Sequence, residues 1–202
     1  MYAITPEFSD TDKLIDKTQQ ALAGGVQLVQ YRNKSTNRHL QRNQAKLLLQ
    51  LCRKHQIPLI INDHLDLALE IDADGLHVGR NDNAIADARK HLGDNKILGA
   101  SCYNDLNLAV HAEKHGADYV AFGAFFPSRT KSNTVPVSID LIQRARKRIN
   151  ISIVGIGGIQ LHNALPVIHG GCDAIAVCNG LFATEQVKAT AAQLTQLFPG
   201  MI

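Results

Sequence analysis

The stretch Val26-Gln27-Leu28-Val29-Gln30-Tyr31-Arg32-Asn33-Lys34 shows the pattern from which the fold of this chain is predicted. It begins as a short apolar run and ends in polar residues, which is typical of a buried strand that opens into a loop. Side chains of a strand alternate between its two faces, so Gln30, Arg32 and Lys34 share one face. Two cations and an amide at one strand end indicate an anion-binding position, although a solvent-exposed strand end can have the same composition.

The same pattern, a short β-rich run followed by an amphipathic stretch, recurs along the whole chain. It predicts strands at residues 2–5, 27–32, 59–62, 75–78, 97–101, 119–123, 152–156 and 174–177. It predicts helices at residues 11–23, 38–54, 65–71, 84–91, 106–115, 139–148, 161–169 and 185–197.

Eight strands that alternate with eight helices indicate an α/β protein with a parallel sheet, which can close into a (β/α)₈ TIM barrel. The alternative is a doubly wound open sheet. That fold favours a glycine-rich turn after the first strand, and Thr5-Pro6-Glu7-Phe8 contains no glycine. Because no linker or break in composition appears, residues 1–202 are predicted to form a single barrel domain.

Composition and charge argue against a membrane protein, a secreted protein and a nucleic-acid-binding protein. The chain has 202 residues and a net charge of +3, and no apolar run approaches the roughly 20 residues of a membrane span. The opening residues lack a basic and then apolar leader, so a cytoplasmic location is expected. The four cysteines form no CxxC pair, which favours reduced thiols. The basic run 144–148 has no interleaved aromatic residues, which argues against nucleic-acid binding.

In a barrel of this kind the chemistry lies where the strands end. The third strand is followed by Asn62-Asp63, and Asp82 follows the fourth. Aspartate is a preferred N-cap residue, so each could simply cap the helix that follows it. Two carboxylates on neighbouring strands also suit Mg²⁺. His77, within the fourth strand, is interpreted as a barrel histidine with satisfied hydrogen bonds.

The remaining strand ends carry hydroxyls, cations and glycines. Ser101 ends the fifth strand, and Ser128-Arg129-Thr130-Lys131 follows the sixth, a composition suited to an anionic oxygen cluster. Gly157-Gly158 follows the seventh strand and Asn179-Gly180 follows the eighth. Glycines there allow backbone N–H groups to approach a phosphate. No Ser/His/Asp or Cys/His arrangement is evident among the residues of these strand ends.

Together these motifs resemble those of the thiamine phosphate synthase family over essentially the whole chain. The matching segments are residues 2–5, 30–34, 62–63, 74–79 with Asp82, Ser101, 122–131 and 155–159. The resemblance implies a transferase of thiamine biosynthesis on a TIM barrel. Its substrates would be a 4-amino-2-methylpyrimidine that carries a methyl diphosphate and a hydroxyethyl-thiazole phosphate. The products would be thiamine phosphate and diphosphate.

The resemblance also implies a set of site residues. It assigns the pyrimidine diphosphate to Gln30, Tyr31, Arg32, Asn33, Lys34, Asn62, Ser101 and Lys131. It assigns the thiazole phosphate to Ser128, Arg129, Thr130, Gly157, Gly158, Cys178 and Asn179, and a Mg²⁺ cofactor to Asp63 and Asp82. Arg32, Lys34, Ser101 and Lys131 are expected to assist the departing diphosphate. Ser128 and Asn179 stand where the family commonly has Thr and Ser, and Arg80 stands where it commonly has Gln or an acidic residue.

Three alternatives remain open. A thiazole tautomerase of the same fold uses a histidine just after the sixth strand, where this chain has Ala124. A sugar-phosphate epimerase needs an opposed pair of acid and base carboxylates, which the strand ends do not offer. A non-catalytic binding protein for thiamine precursors would keep the pocket and lose turnover. Partners are predicted to be small molecules, with no nucleic acid and no membrane, and a homo-oligomer is left open.

Overall fold

Eight parallel strands form a closed barrel in the computed structural model, which describes residues 1–79, 82–127 and 136–198, with the backbone alone for 82–84. The strands are β1 (Tyr2–Ile4), β2 (Leu28–Tyr31), β3 (Leu59–Asn62), β4 (Gly75–Val78), β5 (Ile97–Tyr103), β6 (Tyr119–Phe122), β7 (Ser152–Ile156) and β8 (Ala174–Val177). They pair in chain order, and β8 closes on β1 through Tyr2–Ala176 and Ala3–Val177. This arrangement confirms the predicted TIM barrel and excludes the doubly wound open sheet.

Nine helices surround the barrel in the described part of the chain. They are α1 (Thr11–Ala23), α2 (Arg38–Lys54), α3 (Leu65–Glu70), α4 (Asp82–Leu92), α5 (Leu106–Lys114), α6 (Ile139–Arg146), α7 (Ala164–His169), α8 (Asn179–Phe182) and α9 (Val187–Gln196). None of the helices in this part of the chain is both long enough and apolar enough to span a bilayer.

The differences from the predicted elements lie mainly at their ends. Helix α7 begins at Ala164, because Asn163 Oδ1 accepts from the Gln160 N–H at 2.7 Å and closes a turn over the preceding residues. Strand β5 continues two residues beyond Ser101. The short helix α8 was not predicted, since four residues are too few to show a helical period.

Apolar side chains form two separate layers. The larger layer lies between barrel and helices and contains outward strand residues such as Val29, Ile61 and Leu98. The smaller layer fills the inside of the barrel and contains Tyr2, Ile4, Tyr119, Ala121, Val154 and Ala176. Alternate residues of each strand therefore serve different layers, as the two-residue period of a strand requires.

Four reciprocal hydrogen-bond pairs tie the beginnings of the strands together. The residue before each even-numbered strand accepts, through its side chain, from a backbone nitrogen of the preceding odd-numbered strand or its flank. The backbone N–H of the residue before the even-numbered strand in turn donates to the carbonyl oxygen of the residue whose nitrogen its side chain accepts from. The pairs, which we call strand clamps, are Gln27 with Met1, Asp74 with Leu59, Asp118 with Leu98 and Asp173 with Ile153, with side-chain bonds of 2.7 to 3.2 Å.

Each strand clamp is supported from the neighbouring helix. The residue two places before the Gln or Asp of each clamp has a positive φ. Its carbonyl oxygen accepts from a side chain of the helix that precedes the odd-numbered strand of that clamp or, for the first clamp, of α9. The bonds join Thr195 to Gly25, Arg53 to Asp72, Arg89 to Gly116 and Arg146 to Gly171. The same local device thus recurs before every second strand.

Removal of one clamp carboxylate tests its contribution to stability. Asp118→Ala leaves the fully buried Leu98 without its acceptor and removes the partner of Arg89 at 2.7 Å. We expect the free energy of unfolding to fall by about 1–3 kcal/mol, measured by urea denaturation. Asp94→Ala, at an exposed loop position between α4 and β5, is the control. Equal losses in the two variants would show that the clamp contributes nothing specific.

Candidate active site

A cavity of about 740 Å³ opens at the carboxyl ends of the strands. Eight of the residues assigned from the sequence lie in its wall, namely Gln30, Arg32, Asn62, Ser101, Gly157, Gly158, Cys178 and Asn179. They come from the ends of β2, β3, β5, β7 and β8. The barrel therefore gathers residues that are far apart in the sequence around one space, as expected for this fold.

At the end of β2, Gln30 and Arg32 line the cavity. The Arg32 side chain is 15% exposed, and its Nη1 donates to Glu7 Oε1 at 3.0 Å. Its backbone N–H donates to the buried Thr5 hydroxyl at 3.1 Å. Glu7 thus holds the guanidinium at the cavity and offsets part of its charge. Lys34 lies further along, is exposed, and does not contribute to the cavity wall.

Tyr31 and Asn33 lie on the opposite face of the same segment. Both are buried, and both donate to Gln44 Oε1 on α2, the phenol at 2.8 Å and the Asn33 amide at 3.0 Å. The alternation of side chains along the strand accounts for this placement. The structure therefore favours a supporting role for Tyr31 and Asn33, which hold the strand end to α2, over direct contact with a ligand.

At the end of β3, Asn62 and Asp63 form the next part of the rim. Asp63 has a φ of 62°, and its Oδ2 accepts from Asn62 Nδ2 at 2.8 Å. Its Oδ1 lies beside Gly79, 3.7 Å from where a Cβ of that residue would stand. The cap position of α3 is held by His64 without a side-chain bond, so Asp63 does not cap this helix.

The Asp63 carboxylate thus points along the rim toward the loop after β4, and α4 begins at Asp82 just beyond that loop. An exposed carboxylate at this place is an oxygen donor of the kind that suits Mg²⁺. The side chain of Asp82 and the whole of Arg80 lie outside the described residues.

The segment after β6 is described only up to Pro127 and again from Pro136. The predicted residues Ser128, Arg129, Thr130 and Lys131 therefore lie outside the described residues. Its flanks are held close to the cavity: Phe126 N–H donates to Gly157 O at 3.0 Å, and Val137 N–H donates to Ala124 O at 2.9 Å.

Positions 157 and 158 need glycine because the segment after β6 packs directly against them. Their φ angles are 102° and 63°. A Cβ on Gly158 would stand 2.4 Å from Pro127 O, and one on Gly157 would stand 2.3 Å from Ala124 Cβ. Only glycine combines such a backbone with so close an approach.

Cys178 lies in the cavity wall next to the start of α8. Burial raises the pKa of its thiol to about 11, with a smaller opposing effect from Arg32. The group is therefore a neutral thiol near pH 7 and not an activated nucleophile.

Three residues at the base of the cavity were not assigned to the site from the sequence: Tyr2 and His77, which line it, and Tyr119, which contacts both. Tyr2 OH lies 2.5 Å from Gln30 Nε2 and 2.8 Å from Tyr119 OH. His77 Nδ1 lies 2.9 Å from the Tyr119 hydroxyl, and its Nε2 lies 2.8 Å from Ser101 Oγ. The expected barrel histidine is thus a member of the site. A polar side chain at an inward strand position, one residue before the strand end, is the signal that identifies it.

The contact of Ser101 with His77 has the geometry of a nucleophile and base pair, which sequence inspection did not reveal. The other nitrogen of His77, however, lies 2.9 Å from the Tyr119 hydroxyl, so this contact does not supply the carboxylate of a catalytic triad. Burial raises the pKa of the Tyr2 and Tyr119 phenols well above 10, so both remain neutral. The two phenols therefore act as neutral hydrogen-bonding groups at the base of the cavity.

The fold and the rim define an α/β-barrel enzyme site with positions suited to anions at the strand ends. Comparison with known proteins names the family. A family model described as "Thiamine monophosphate synthase" matches residues 1–181. Curated thiamine-phosphate synthases from Nitrosospira multiformis and Nitrosomonas eutropha are 54% and 52% identical over 198 residues. These matches cover 98% of this chain and 85% and 93% of those proteins.

A solved structure gives the same result. The thiamine phosphate pyrophosphorylase from Pyrococcus furiosus superposes with a TM-score of 0.84 and 31% identity, over 97% of this chain and 93% of that one. The chain belongs to the thiamine-phosphate synthase family, as its sequence motifs indicated.

Substitution of Gly158 tests whether its contact with the segment after β6 matters for activity. We expect Gly158→Ala to lower kcat/KM for the thiazole substrate at least about tenfold, because the close approach to Pro127 is lost. Gly93→Ala is a matched control: its φ is 72° but nothing lies within 4 Å of a Cβ there. The left-handed backbone conformation alone should cost each variant about 1–2 kcal/mol of stability, and the contact with Pro127 O adds to this loss in Gly158→Ala. Equal activities in steady-state assays would argue against a role for this contact.

Proposed function

We propose that the cavity binds both halves of thiamine phosphate and that the cationic rim assists departure of diphosphate. The activity of the chain is that of a thiamine-phosphate synthase, since similarity to this family covers nearly the whole sequence. The observation that carries the assignment of the site is the combination, in one cavity, of an amide-bearing floor, apolar walls and a polar rim with Arg32.

The inner part of the cavity suits an aminopyrimidine. Ile4, Ala121 and Ile156 provide apolar surface, and Gln30 and Ser101 provide the polar groups. A flat heterocycle that enters between them would bury its faces against aliphatic side chains and satisfy its nitrogen atoms at the floor. The methyl diphosphate of the same substrate would then extend toward the rim.

The rim supplies the groups that a departing diphosphate needs. Arg32 and Asn62 line the cavity, and Asp63 lies next to Asn62. Lys34 and Lys131 are proposed to add positive charge from the adjoining loops. Preorganised charges of this kind stabilise developing negative charge in the transition state.

Asp63 and Asp82 are the residues proposed to hold Mg²⁺. The orientation of the Asp63 carboxylate along the rim, and its freedom from helix capping, support this choice. When bound there, the ion would offset charge on the diphosphate oxygens.

The thiazole phosphate is proposed to lie over the outer part of the cavity. Gly157, Gly158 and Asn179 line that region, and the backbone between the glycines is shaped to admit a close neighbour. Ser128, Arg129 and Thr130 are proposed to complete the phosphate contacts.

The thiazole nitrogen attacks with a lone pair, so bond formation requires no base to deprotonate the nucleophile. We therefore propose a dissociative displacement in which diphosphate leaves ahead of carbon–nitrogen bonding. The amino group of the pyrimidine delocalises the positive charge that develops on its methylene carbon. In this mechanism Ser101 is a hydrogen-bonding residue and not a covalent nucleophile.

Turnover by the purified protein tests the proposed function and the role of Arg32 together. The protein, given both substrates and Mg²⁺, should form thiamine phosphate, detected by fluorescence after oxidation. Arg32→Gln should lower kcat on the order of a hundredfold or more, and Lys131→Ala should act in the same direction. Arg144→Gln, at an exposed position of α6, is the control for a lost surface arginine. Unchanged turnover in Arg32→Gln would refute the role of the guanidinium.

The metal assignment has its own test. Asp63→Asn should raise the Mg²⁺ concentration for half-maximal activity at least about tenfold, while the melting temperature changes little because Asp63 caps no helix. Mg²⁺ titration of initial rates measures the first quantity, and calorimetry the second. Asp105→Ala, which removes a helix N-cap that accepts from the Asn107 N–H at 2.8 Å, should show the reverse pattern. A normal Mg²⁺ requirement in Asp63→Asn would exclude Asp63 as a ligand.

A further inference from the structure

Five side chains from five strands form one continuous hydrogen-bonded path across the cavity floor. It runs from Gln30 on β2 through Tyr2 on β1, Tyr119 on β6 and His77 on β4 to Ser101 on β5. Its four contacts measure 2.5, 2.8, 2.9 and 2.8 Å. We call this path the floor chain. Its two end residues line the cavity wall and also belong to the proposed pyrimidine site.

The packing of the barrel makes room for the floor chain. The Tyr119 ring stands edge-on to Tyr2 at 5.8 Å and is stacked with His77 at 5.6 Å. Gly99 is essential to this arrangement, since a Cβ there would lie 2.0 Å from the Tyr119 ring. Tyr2 and Tyr119 are 1% and 5% exposed, so their hydroxyls have no ready exchange with bulk water.

One arrangement of protons gives every contact of the floor chain a donor and an acceptor in a single direction, from Gln30 to Ser101. Gln30 Nε2 can only donate, so Tyr2 OH accepts from it, and Tyr119 OH is the next acceptor along the chain for the Tyr2 proton. Tyr119 then donates to His77 Nδ1, which requires the proton of a neutral imidazole to reside on Nε2. His77 Nε2–H in turn donates to Ser101 Oγ and leaves the serine proton for another acceptor.

We propose that Tyr2, Tyr119 and His77 are positioning residues that fix the hydrogen-bonding roles of Gln30 and Ser101 toward the substrate. With its nitrogen engaged by Tyr2, Gln30 presents its carbonyl oxygen as an acceptor. With its oxygen engaged by His77, Ser101 presents its hydroxyl as a donor. The two roles are coupled, because reversal of any one bond in the chain requires reversal of the others.

This polarity matches the chemistry of the proposed function, and the match rests on that function. An acceptor at Gln30 suits the exocyclic amino group of the pyrimidine, whose protons become more acidic as positive charge develops on the ring system. The bond therefore strengthens toward the transition state. A pyrimidine with a carbonyl at that position would oppose one acceptor with another and would be rejected.

The raised pKa values of both phenols support a chain of neutral groups. Because Tyr2 and Tyr119 keep their protons over the working pH range, the chain cannot lose its direction through ionisation of either phenol. The direction is then determined at one end, by the amide nitrogen of Gln30, which can only donate.

The tautomer of His77 in the ligand-free protein reports the direction of the chain. We expect ¹⁵N NMR, with the resonances of His77 assigned by comparison with His77→Gln, to show a protonated Nε2 and an unprotonated Nδ1. Gln30→Glu, studied at about pH 9 with carboxylate ionisation verified by ¹³C NMR, leaves only an acceptor at the far end. The tautomer should then switch to Nδ1–H.

Two further variants test whether Gln30 affects the His77 tautomer through the floor chain or through a general change in the structure. Tyr119→Phe removes one hydroxyl from the middle of the chain, so adding Gln30→Glu to it should no longer switch the His77 tautomer. Tyr31→Phe removes a buried phenol that bonds to Gln44 outside the barrel, and the switch should persist in that background. A protonated Nδ1 in the unaltered protein, or no response to Gln30→Glu, would overturn the proposal.

Kinetics supply a second readout that separates positioning from structural support. Tyr119→Phe should lower kcat on the order of tenfold or more, with a smaller change in KM for the pyrimidine substrate. A change in melting temperature with kcat unaltered would overturn the positioning role. Because the tautomer is measured without substrates, failure of the floor chain and failure of the proposed function give different results.

Discussion

The strand clamps are the constraint on which the rest of the barrel depends. Each joins the start of an odd-numbered strand to the start of the next even-numbered strand through two bonds, for example between Asp118 and Leu98. These pairs fix the register at one end of the barrel. A shift of one residue would exchange the two faces of a strand. Gln30 and Arg32 would then face α2, and Tyr31 would enter the cavity.

Register also explains how one short segment serves two purposes. Along β2 and the residues after it, Tyr31 and Asn33 hold the strand to α2 through Gln44, while Gln30 and Arg32 line the cavity. A motif that looks uniform in the sequence is therefore divided between support and binding. The same alternation places Tyr2 and Tyr119 inside the barrel, where they connect the residues that line the cavity.

The sequence predicted the barrel and most strand ends, because apolar periodicity and strand length are local properties. It also predicted the cavity residues at strand ends, such as Ser101 and Asn62, from the rule that these ends converge. It did not predict the floor chain. Tyr2 and Tyr119 are distant in the sequence, and each reads as an ordinary core aromatic. Their contact follows from barrel closure and from the space left by Gly99, neither of which has a local signal.

The two ends of the barrel differ in how far their residues can be substituted without loss of the fold. The clamps repeat the same bonds before every second strand, whereas each strand end at the cavity carries different residues. Loops at the cavity can thus be exchanged without disturbing the bonds that hold the strands in register. For protein engineering, the chain is a scaffold in which altered substrate preference need not be accompanied by loss of the fold.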